Sequence, residues 1–177
     1  MRVDLNLIVV GFLLFLAAIV QDACAFGAEQ SVKIYVITAV ALYVMQTKNL
    51  PIVILGLIWA GALTDALGGV SQGCTLAFLM LVFLAVRGLQ RIFLAPSLWH
   101  GMILCACISV LQVVWTRLFV GWTGYSFFSW IQLVRIAEAF PAGVVAGCIG
   151  FMACIWLDQR LGLRVDAAKI DAPWLVQ

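Results

Sequence analysis

Charge is what this chain has least of. Lys, Arg, Asp and Glu make up 10% of its 177 residues, and there is a single histidine, His100. An ordinary soluble domain is about 25% charged. The ten basic residues are scattered, so there is no basic patch of the kind that grips nucleic acid. One histidine leaves no second imidazole to share a metal, and no acid, base and nucleophile converge along the chain. A phosphate-binding glycine loop with its lysine is missing too, which removes the signature of a nucleotide motor. These absences predict a protein that is not an enzyme and that carries no metal or cofactor. No linker, repeat or low-complexity run divides the chain, so residues 1–177 read as a single integral membrane domain.

Apolar residues fill the space that charge leaves. They make up 66% of the chain, against about 45–50% in a soluble domain. With a mean hydropathy of +1.16, this is more apolar material than a small globular core can hide, because a small domain has too much surface. The six cysteines, Cys24, Cys74, Cys105, Cys107, Cys148 and Cys154, lie in or beside apolar runs and read as small hydrophobes. On a helix Cys105 and Cys107 point about 200° apart, which argues against a shared thiolate site.

Six apolar segments can be drawn: Leu5–Ala25, Val32–Gln46, Leu50–Gly69, Cys74–Arg87, Leu98–Val120 and Ser129–Leu157. They are continuously apolar, with none of the alternation of barrel strands. Lipid forbids unpaired backbone, so each must be helical. The expected fold is all-α, a polytopic membrane bundle of about six spans. The second and fourth segments are short against the roughly 20 residues a span needs. The last is too long for one span. It is expected to split into an interfacial stretch over Tyr125–Phe140, with Phe127, Trp130, Ile131 and Val134 opposite Gln132 and Arg135, and a membrane helix from Pro141 to Leu157; the same stretch reads equally as the lower-polarity start of the last span. Residues 158–177 are expected to form a cytoplasmic tail. Ala23-Cys24-Ala25 resembles a signal-peptidase site, but Arg2 is a thin basic region, and a retained first helix is expected.

Orientation follows from the basic residues. With six spans, one side holds seven, Arg2, Lys48, Arg87, Arg91, Arg160, Arg164 and Lys169, and the other holds three, Lys33, Arg117 and Arg135. That bias predicts a multi-pass protein with both termini in the cytoplasm. Trp99 and Trp156 would mark the inner interface, and Trp115, Trp122 and Trp130 the outer one.

Two local patterns stand out. The first runs from Gly61 through Asp65, Leu67, Gly68 and Gly69 to Gly73. A carboxylate one turn inside a membrane helix is expensive. Asp65 is either a polar contact or ion-path residue in the bundle interior, or a cap on the turn that Gly68, Gly69 and Gly73 make possible. The lack of a second acid inside a neighbouring span favours the cap. The second pattern is Gly143, Ala146, Gly147 and Gly150, with Ala142, a small-residue face that lets helix backbones approach closely. Gly56, Ala60 and Thr64 repeat it weakly. Arg87 and Arg91, one turn apart, read as topology anchors. His100 reads as a lone interfacial histidine.

The stretch from Ile34 to Leu94 resembles the MreD family, small membrane proteins of the bacterial rod-shape system. Gly61, Asp65, Leu67, Gly69 and Gly73 match that family's glycine-and-aspartate helix in register. Gln46 and Lys48 supply the polar end of the preceding helix, and Arg87 and Arg91 the basic end of the following one. The chain differs at Val70-Ser71-Gln72 and Ser31-Val32-Lys33, where proline is more familiar in the family. The resemblance implies a non-catalytic scaffold of cell elongation in the bacterial inner membrane. Its implied partners are membrane lipid, an MreC-like protein and other elongation-complex proteins of peptidoglycan synthesis. It also implies a fold similar to the substrate-binding subunits of energy-coupling vitamin transporters. That likeness supplies the alternative, a substrate-specificity subunit. Such a subunit needs a polar pocket, and few polar residues are present to line one.

Overall fold

Continuous apolar runs give the backbone no side chain or water to bond, and among the described residues the chain answers with helices. The computed structural model describes residues 2–25, 35–68, 73–90, 98–121 and 130–162. They form α1 (Arg2–Ala25), α2 (Val36–Thr47), α3 (Leu50–Gly68), α4 (Cys74–Gln90), α5 (Leu98–Gly121) and α6 (Trp130–Arg160).

Successive helices run antiparallel, as the contacts at their ends show. At one end Lys48, just after α2, bonds Asn6 of α1 and Asp158 of α6. At the other, Gln21 of α1 meets Ile37 of α2, and Asp65 of α3 meets Gly73 and Thr75 at the start of α4. Helix α2 forms the axis of the bundle. Residues Val36 to Met45 are all buried, and α1, α3, α5 and α6 pack around them.

The outer face is apolar. Ile8, Phe12, Leu84, Ile103, Ile149 and Met152 are all more than half exposed. A soluble protein rarely leaves so much contiguous apolar surface in water. In a bilayer the same surface is solvated by acyl chains. The molecule is a helical membrane protein.

Two expectations need correction. Among the described residues six helices form, but four are long and apolar enough to cross a bilayer: Leu5–Ala23, Leu50–Leu67, Trp99–Leu118 and Leu133–Arg160. Helix α2, at 12 residues, rises only about 18 Å, and α4, at 17, about 26 Å, against a hydrocarbon core of about 30 Å. Helix α2 is sheathed by its neighbours, so its length answers to protein packing more than to lipid thickness.

The second correction concerns Pro141. It does not start a helix; it lies inside α6, which runs unbroken for 31 residues to Arg160. From Trp130 on, the expected interfacial stretch and the membrane helix are therefore one element, and the helix runs three residues into the segment expected as a tail. The small-residue face explains the continuity. Ala139, Ala142 and Ala146 are all buried, so the stripe that meets α5 starts before the proline and carries on beyond it. Proline removes one backbone donor, a loss that packed membrane helices tolerate.

Candidate functional site

The Gly61–Gly73 pattern is a joint between α3 and α4. The first four N–H groups of a helix have no partner within it. At α4 the Gly73 carbonyl accepts the first helical bond, from Ala77 N–H at 2.9 Å, which makes Gly73 the N-cap. Its own side chain offers nothing. Asp65 reaches across from α3 instead: the Gly73 N–H donates to Oδ2 at 2.7 Å and the Thr75 N–H to Oδ1 at 3.0 Å. Both carboxylate oxygens are used on orphan donors, and the positive end of the α4 dipole faces the negative charge. Asp65 is only 2% exposed, so these bonds are what make its burial tolerable.

The glycines serve the same joint. A Cβ on Gly61 would sit 2.9 Å from the Leu76 Cα, a backbone atom that cannot step aside, so glycine sets how closely α3 lies on α4. Gly73 has φ +95°, a conformation that side chains disfavour. Trp115 of α5 completes the joint. Its indole N–H donates to the Cys74 carbonyl at 3.1 Å, and its ring packs on Phe78. Trp115 thus ties α5 to α4. Leu67 is exposed beside the joint. Arg87, at the far end of α4, places its guanidinium 5.3 Å from the Phe83 ring centre. Gly69 and Arg91 lie outside the described residues, as do Trp122 and the start of the stretch expected to be interfacial.

The second pattern seats α6. A Cβ on Gly143 would lie 2.7 Å from both the Ala106 Cα and the Ser109 Oγ, and one on Gly147 2.9 Å from the Cys105 Cβ. Both glycines therefore face α5. Gly150 faces α2, with Ala39 at 2.9 Å from the same construction, and Ala146 is fully buried. The face is used within this bundle. The weaker copy in α3 is looser, since Gly56 has only ordinary contacts with Val10 and Val44.

A third cluster was not anticipated from the sequence. Asp158 is buried in the last turn of α6. Its Oδ2 accepts from the Tyr43 hydroxyl at 2.6 Å and from the Lys48 ammonium at 2.7 Å, and Lys48 also donates to Asn6 Oδ1 at 3.3 Å. The Lys48 and Asp158 side chains are each 4% exposed. This second acid lies on α6, at the opposite end of the bundle from Asp65 on α3, so the two form no relay. The signal was present: Asp158 falls in register with Gly147, Gly150 and Cys154 on the inward stripe of α6. The Thr38 hydroxyl donates to Gln112 Oε1 at 2.8 Å, a buried pair holding the start of α2 to α5.

No family model, curated protein or solved structure matches the chain. Its function must therefore be argued from its own residues. Among the described residues, no group of three or more His, Cys, Asp and Glu could hold a metal ion. Cys105 is buried and Cys107 exposed, as their spacing on a helix requires. His100 is exposed at the start of α5.

Proposed function

We propose that the protein is an MreD-like scaffold subunit of the bacterial cell-elongation machinery, seated in the inner membrane with both termini cytoplasmic. The observation that carries this reading is the Gly61–Asp65–Gly73 joint. In a chain with few charges, one carboxylate and two glycines at fixed spacing are committed to welding two helices, and the same pattern carries the resemblance to the MreD family. Such a joint makes a rigid body, which is what a scaffold needs and what a turnover cycle does not require. The basic residues support the orientation. Lys48 is neutralised by Asp158, and removing it from the count leaves six against three (7 − 1 = 6), still biased to the same side. The partner is a coiled-coil protein of the MreC type, met within or beside the membrane, through which the subunit reaches the peptidoglycan synthases.

Purification of the tagged full chain in mild detergent from its own cells tests this. Recovery of an MreC-like coiled-coil protein is the expected result. Recovery of a pair of ATPases in its place would assign the chain to the energy-coupling transporters.

A further inference from the structure

The Asn6–Tyr43–Lys48–Asp158 cluster sits at the end of the bundle away from the Asp65 joint and plays no part in it. It joins three distant parts of the chain: the first turns of α1, the α2–α3 connection and the last turn of α6. Its bonding is lopsided. Asp158 Oδ2 accepts from two donors, while Oδ1 is buried with no partner among the described residues. A buried carboxylate with one bare oxygen is poorly solvated, and the Lys48 ammonium is its charge partner.

We propose that this cluster is an electrostatic latch that holds the end of α6 against α2. Closed, the Gly150, Phe151, Cys154 and Asp158 face of α6 lies on Ala39, Tyr43 and Lys48, with the Tyr43 and Phe151 rings edge-to-face at 5.7 Å between centroids. When Lys48 is drawn away, the carboxylate is left buried and unpaired, and its easiest relief is to swing the last turns of α6 outward until both oxygens meet water. The chain has a place for that movement to end. Gly162, just past α6, has φ +62° and closes the helix with its N–H on the Gln159 carbonyl at 3.4 Å. The inference holds whichever partner the protein serves.

Cys154 is a built-in reporter. It is fully buried one turn before Asp158 on the same face of α6. A full-length version keeping Cys154 as its only thiol is purified in detergent, and its labelling by a small maleimide is timed. With the latch intact, labelling is slow. Lys48→Met and Asp158→Asn each break the pair and should raise the rate by about tenfold or more, since labelling follows the population of the locally opened state. Tyr43→Phe keeps the ion pair, removes one donor and should give a smaller rise, which preserves the test if either charge variant fails to fold. The triple variant Tyr43→Phe, Lys48→Met, Asp158→Leu buries no charge and should be as protected as the parent. Helix content and a single gel-filtration peak confirm folding in each case. Protection unchanged in the single variants would overturn the latch. Equal exposure in the triple variant would also overturn it, because the opening would then come from lost packing and not from an unpaired charge.

Discussion

Replacing Asp65 with alanine removes both acceptors at the start of α4 at once. The Gly73 and Thr75 N–H groups lose bonds of 2.7 and 3.0 Å, and Thr75, 5% exposed, has no water to turn to. Hydrogen bonds to a charged group contribute about 1.5–3 kcal/mol each, and the alanine also relieves the burial of a charge. The net loss should be about 2–4 kcal/mol. At about 2–4 °C per kcal/mol for a chain of this size, the thermal midpoint should fall by roughly 4–16 °C. Asp65→Asn keeps the size and one carbonyl acceptor but turns an amide N–H₂ toward a backbone donor, so it should fall between parent and alanine, by about half as much. The assay is thermal unfolding in detergent, followed by loss of the monodisperse peak. Midpoints within a degree of the parent for both variants would refute the capping argument. An asparagine variant as damaged as the alanine one, still inserted in the membrane, would show that the charge itself is needed and that hydrogen bonding alone does not account for Asp65.

Gly143→Ala should destabilise by about 1–3 kcal/mol through overpacking, because its Cβ would meet the α5 backbone at Ala106; Gly11→Ala, with open space around it, should be neutral or better, and thermal midpoints of the two decide the matter. Leucine at both Gly143 and Gly147 should prevent α6 from seating on α5, seen as loss of a monodisperse species; an unchanged elution profile would place the face against lipid. Reporter fusions at Gln177 and in the 122–125 connection should report cytoplasm and exterior respectively, and an external C-terminus would end the proposed orientation.

Helices and their order were legible because lipid removes the alternatives: an apolar run with no polar relief has to satisfy its own backbone. Helix α3, drawn as Leu50–Gly69 and observed as Leu50–Gly68, shows how well composition alone locates such an element. Pro141 misled because proline at a first turn is a local preference, whereas the stripe from Ala139 to Gly150 is a packing face, and packing prevailed. Gly61 and Asp65 could be singled out as a pair with a shared turn, since the joint is local and its partners lie within about a dozen residues. The Lys48–Asp158 pair could not be seen that way. Its members are 110 residues apart, and a lysine after an apolar run reads first as an anchor at the membrane surface. Only the three-dimensional return of α6 onto α2 turns it into an internal cation. The bond of Trp115 to α4 was hidden for the same reason: an interfacial tryptophan and one that bonds a neighbouring helix start look alike in sequence.

Depletion of the protein in the cells that carry it tests the functional claim most directly, with cell width and the sites of new wall synthesis followed as the protein is lost. A scaffold of the elongation machinery predicts that rods widen and round up while wall synthesis loses its distribution along the cell length, and that the parent chain restores both. Cells that keep normal shape and normal wall synthesis but lose uptake of a vitamin would contradict the scaffold reading and assign the protein to transport.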